Sequence, residues 1–127
     1  MKTIKRIAAG AFAVTAVLTP SAARADVPYA QASALVEMDG TVSEAKNITD
    51  VWHPDDGIYC LTVGDRVDLH GDVAIHATLV GRYDRPRTLS VELEAEVCGE
   101  HRDRTIGVFS QIGFRTWADS AFYLTVS

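Results

Sequence analysis

Four histidines, His53, His70, His76 and His101, are the side chains best suited to hold a transition metal. Their spacing argues against it. His70 and His76 share a face by parity in an extended chain, but six residues of strand span about 20 Å, too far for one ion. A tight turn at Gly71-Asp72 would set His70 opposite Val73 rather than His76. Neither an H-x-x-x-H nor a C-x-x-C pair occurs, so no metal ligands and no cofactor are expected. Asp55-Asp56-Gly57 has the acidic start of a calcium loop without its further oxygen ligands. It reads as a turn.

Paired carboxylates are the next chemistry to consider. Glu92, Glu94 and Glu96 alternate with Leu93, Ala95 and Val97. On one strand face they would stand about 6.6 Å apart, near the separation of paired glycosidase carboxylates. Charged strand faces also serve to block edge pairing, and a solvated face is the expectation. No nucleophile elbow, phosphate loop or Ser-His-Asp order stands out, so no catalytic residues are expected. Two kinds of side chain remain as binding candidates. Arg82, Arg85 and Arg87 cluster around Pro86 in what reads as an exposed loop. Trp52 and Trp117 are either core anchors or exposed platforms on which sugars stack.

The first residues set the compartment. Lys2, Lys5 and Arg6 precede an apolar run from Ile7 to Leu18, and Ala23-Arg24-Ala25 supplies an A-x-A cleavage site. This is the pattern of a secretory signal peptide over residues 1–25, with a rival reading as an uncleaved anchor. The run falls short of the about 20 residues that span a bilayer. Removal of 1–25 leaves one domain, 26–127, with 8 basic against 17 acidic residues, a charge of −9 where the whole chain has −5. So acidic a surface repels nucleic acid and anionic lipid at long range. Neither is an expected partner, and the processed chain is expected to be a monomer free of membranes. In an oxidising compartment the two cysteines, Cys60 and Cys98, are expected to pair, although His101 and Arg102 beside Cys98 also resemble the setting of a reactive thiol. A bridge across this loop would contribute about 4 kcal/mol by chain entropy.

The elements that must position these residues repeat every two positions. Ala30, Ala32, Ala34, Val36 and Met38 alternate with Gln31, Ser33 and Glu37. Asp39-Gly40 then signals a two-residue hairpin. Further strands are predicted from Thr41, from Ile48 to Trp52, from Ile58 to Val63 and within Val67 to Tyr83, with His53 to Gly57 as a turn. Leu89 to Val97 is the clearest strand, with Ile106, Val108, Ile112 and Phe114 on the next and Phe122, Leu124 and Val126 on the last. One face apolar and one polar is the mark of antiparallel sheets. The fold class expected is all-β: an antiparallel sandwich of immunoglobulin-like or Greek-key type, with seven to eight short strands, preceded by the signal-peptide helix.

The order "ALVEMDGTV", "AKNITDV", "GIYCLTV", a second cysteine and "DSAFYLTVS" resembles a group of small exported bacterial proteins, mostly from high-GC Gram-positive species. Related segments without cysteines are similar to terminal domains of phage tail-fibre and collagen-like proteins. The likeness covers nearly all of residues 30–127 and implies the β-domain and the bridge. It brings no catalytic residues. The expected function is a secreted, non-enzymatic module that binds a protein or surface glycan, or a structural component of the envelope. A small enzyme inhibitor is the alternative, and a glycan hydrolase using the glutamates is a third.

Overall fold

The computed structural model describes residues 29–100 and 102–127. The expected signal peptide and its helix, and His101, lie outside the described residues. The expected class holds: two antiparallel sheets, facing each other, built from short strands. The strands are β1 (Ala32–Val36), β2 (Val42–Lys46), β3 (Ile48–Asp55), β4 (Ile58–Val63), β5 (Ile75–Val80), β6 (Thr88–Leu93), β7 (Thr105–Ile112), β8 (Thr116–Trp117) and β9 (Ala121–Val126). Among the described residues the count exceeds the expected seven to eight by the two-residue β8.

One sheet runs β2-β1-β9-β5 and the other β3-β4-β7-β6, with β8 against the end of β7. The first and last strands are neighbours: Ala32 opposes Val126 and Val36 opposes Phe122. Immunoglobulin domains put their first and last strands in opposite sheets, so the strand order departs from that variant.

The core follows from the alternation. Ala32, Ala34, Val36, Phe122, Leu124 and Val126 point inward from one sheet, and Tyr59, Leu61, Val63, Ile106 and Val108 from the other. The small alanines of β1 lie in the same core as the large Tyr59 and Phe122 rings, which meet edge to face at 5.1 Å. Val67 and Leu69 pack into the same core from the loop before β5 rather than from a strand. Asp68 between them keeps that segment irregular, because its Oδ1 accepts the His70 N–H at 2.9 Å and the Gly71 N–H at 3.0 Å.

Three local predictions change. The hairpin after β1 has a three-residue loop, Met38 to Gly40, because the Glu37 N–H donates to the Thr41 carbonyl at 2.8 Å and the Gly40 N–H to the Glu37 carbonyl at 2.9 Å. Gly40 at φ 90° takes the left-handed bulge position such loops require. His53, Pro54 and Asp55 belong to β3, with a register shift after Trp52, and only Asp56-Gly57 turns the chain. The strand predicted to Val97 ends at Leu93, because Glu94 adopts φ 57° and Glu96–Cys98 winds into a 3₁₀ turn.

The shortest crossing between the two sheets is a single residue. Asn47, at φ 55°, turns the chain from β2 in one sheet into β3 in the other. Asn is among the few non-glycine residues that tolerate this region. Its side-chain amide donates to the Gln31 carbonyl at 2.6 Å, and its own carbonyl accepts from the Gly64 N–H at 2.9 Å.

Candidate functional site

Leaving β6, residues 94–100 and 102–104 lie over the outer face of the β3-β4-β7-β6 sheet. Cys98 reaches Cys60 in the middle of β4, and the two form the expected disulfide with Cα atoms 5.7 Å apart. The bridge therefore ties a strand to a 3₁₀ turn. It is buried with Ala95 beneath a flank of Trp52 and Phe109. Gly107, opposite both Cys60 and Glu92, makes room for it. A Cβ there would stand 3.1 Å from Ala95 Cβ and 3.1 Å from Phe109 Cε2.

Between this cap and the β3–β4 edge lies a cleft of about 500 Å³. Half-buried Trp52 and the disulfide at Cys98 line it, with Thr49 and Thr62 on the strands and Asp50, Asp65, Glu100 and Arg104 around them. Several of these groups are already engaged. Arg104 binds Asp65 and donates to the Val63 carbonyl at 2.8 Å. Thr49 Oγ1 donates to the Thr62 carbonyl at 3.2 Å. Asp50 and Glu100 are exposed and make no ion pair among the described residues. The cleft thus offers an aromatic wall, fixed hydroxyls and two open acceptors. Such a surface suits a ligand rich in hydroxyl donors.

At the other end of the strands, the β5–β6 loop gathers Arg82, Arg85 and Arg87 around a second concavity of about 360 Å³ that Tyr83, Asp84 and Ile112 complete. Arg87 stacks on Tyr83 at 4.6 Å from the ring centre and donates to the Arg85 carbonyl at 3.0 Å. The Tyr83 hydroxyl donates to the Val80 carbonyl and accepts from the Ala121 N–H, both at 2.8 Å. The β7–β8 hairpin stands at the same end. Trp117 on β8 is 44% exposed and tilts against Phe109 at 5.9 Å. Phe114, predicted as core, is 97% exposed, because Gly113 at φ 67° turns the chain out of the sheet before it. The structure thus brings Trp117 to the same end as the three arginines and leaves Trp52 in the separate cleft.

The remaining candidates scatter. His53 binds Asp119 at 2.9 Å and stacks on Tyr59 at 4.5 Å, an anchor between the β3–β4 hairpin and the segment before β9. Asp119 Oδ1 also accepts the Gly57 N–H at 2.7 Å. His70 contacts the Asp103 carbonyl at 3.1 Å, and His76 lies exposed on β5. Among the described residues no three His, Cys, Asp or Glu side chains gather where they could hold a metal ion. Glu92, Glu94 and Glu96 do not form the predicted stripe: only Glu92 is on a strand.

The sequence reading singled out Trp52 but not Asp50, Asp65 or Glu100. Nothing in their spacing foretells a cleft, which exists only once the disulfide brings the Cys98 turn onto the sheet. Among the described residues no helix is long and apolar enough to cross a membrane. Comparison with family models, curated proteins and solved structures finds no match.

Proposed function

We propose that the protein is an exported, non-enzymatic binding module that takes a neutral or amino-sugar glycan in the Trp52 cleft. One observation carries this reading: a disulfide-tethered cap walls a cleft in which an indole stands among fixed hydroxyls and unpaired carboxylates. The apolar face of a sugar ring packs on an indole, and its hydroxyls donate to carboxylates such as Asp50 and Glu100. The negative charge of the rim disfavours anionic sugars and accommodates an amino group.

Affinity electrophoresis and calorimetry of the oxidised protein against cello- and chito-oligosaccharides test it. Binding is expected, with Trp52→Ala weakening it by about tenfold or more, as truncation of a central aromatic anchor does. Trp52→Phe should retain part of the affinity. Failure of every neutral and amino-sugar oligosaccharide to bind, or equal affinity in a folded Trp52→Ala protein, would overturn the reading.

A further inference from the structure

The arginines at the β5–β6 loop divide into two roles. Arg87 is half-buried and committed, through Tyr83 and the Arg85 and Asp119 carbonyls, to holding the loop in shape. Arg82 and Arg85 are exposed, and no hydrogen bond or ion pair engages their guanidinium groups among the described residues. They border the same concavity, so two free cationic forks, against the single carboxylate of Asp84, face a pocket whose wall is fixed by the third arginine. Ile112 closes that pocket, and two residues beyond it the β7–β8 tip holds out Phe114 and Arg115. Phe114 is 97% exposed, so its ring is open to a ligand. Guanidinium forks match carboxylates two bonds at a time.

The rest of the molecule narrows the ligand. The hairpins carrying Asp39, Asp55 and Asp56 occupy the β1–β4 side of the same end. A nucleic acid, with a phosphate every 3.4 Å along each strand, would press dense charge against those carboxylates. A polysaccharide with one carboxylate per ring is sparser, and it presents both an anion for the arginines and a ring for the phenyl group. We propose that Arg82, Arg85 and the Phe114 tip form a second binding site, for a uronic-acid polysaccharide. The site is separate from the Trp52 cleft and does not depend on it.

The oxidised protein should be retarded in gels containing polygalacturonate and not in gels containing uncharged dextran, with the retardation falling as salt rises to about 0.15 M. The double variant Arg82→Gln/Arg85→Gln should lose about tenfold or more in affinity with an unchanged melting temperature, and Phe114→Ser several-fold. Trp52→Ala should bind polygalacturonate as the parent does, which separates this site from the cleft. Absence of retardation, or retention of affinity by the double variant, would overturn the proposal. So would tighter binding to an oligothymidylate or to vesicles of anionic lipid than to polygalacturonate.

Discussion

Tyr59 shows how one side chain joins the two sheets. Its ring is fully buried between His53 and Phe122, and its hydroxyl donates to the Met38 carbonyl at 2.7 Å and accepts from the buried Ser120 N–H at 3.1 Å. Tyr59→Phe keeps the packing and removes both bonds. The exposed Met38 can turn to water, whereas the Ser120 N–H is left without its acceptor. A loss of about 1–3 kcal/mol is expected, read from the midpoint of urea unfolding at neutral pH. Burial also pushes the phenol pKa up from its ordinary value of 10.0. Below that value the phenol is neutral in folded and unfolded chains alike, and its contribution is fully present. Above it the unfolded chain ionises first while the folded one stays protonated, so stability falls as pH rises. The difference in urea midpoint between parent and Tyr59→Phe should therefore shrink above pH 10. A gap that stayed constant would show that the phenol does not titrate differently in the two states.

At the scale of elements, alternation revealed most strands because each buries one face, and period-two patterning records that directly. It failed where something other than a facing sheet covers an element. Leu89, Val91, Leu93, Ala95 and Val97 keep perfect alternation, yet Leu93 and Val97 are exposed and Ala95 is buried within the cap, against the outer side of the sheet, instead of in the sandwich. The decisive residues were Glu94, whose positive φ nothing in its type announces, and Gly107, whose missing Cβ is meaningful only once Ala95 lies over it. The Trp52 cleft was illegible for the same reason: it belongs to the cap.

This makes the cap testable as a unit. Gly107→Val adds carbon where Ala95 and Phe109 already stand at close contact, and should cost about 1–3 kcal/mol. In a Cys60→Ala/Cys98→Ala background the cap is free to lift, so the same substitution should cost less. The non-additivity is measured by a double-mutant cycle in thermal or urea unfolding. Strict additivity would mean that the disulfide does not hold the cap down. The corner at Asn47 is a second such element. Asn47→Gly keeps the left-handed turn and loses only the bond to Gln31, whereas Asn47→Ala adds about 1–2 kcal/mol of backbone strain. The alanine variant should melt below the glycine one.

For the whole molecule, the consequential feature is where β9 sits. It pairs with β1 on one side and β5 on the other, and it delivers Phe122, Leu124 and Val126, all fully buried, to the core. Without it, β1 and β5 have no partner across the gap, and Ala32, Ala34 and Val36 lose Val126, Leu124 and Phe122 beside them. The pair Ala32–Val126 lies far apart in sequence, so closing the sheet requires a long-range contact that no local hairpin can replace, and such topologies fold slowly. A nascent chain stays open until residues 121–126 are available. That fits the proposed export, because a chain must be unfolded to be threaded across a membrane. Two measurements follow. Mass spectrometry of secreted material should find Asp26 at the N-terminus. A protein ending at Ser120 should give no cooperative thermal transition, although it keeps both cysteines and six of the seven strands that precede β8 and β9 in pairs with one another. The disulfide contributes about 4 kcal/mol through the unfolded state, less than the burial of three core side chains and two strand pairings together. A truncated protein that melted cooperatively near the parent's temperature would show that the β3-β4-β7-β6 sheet with its cap is a folding unit by itself, and that β9 completes the structure rather than licensing it.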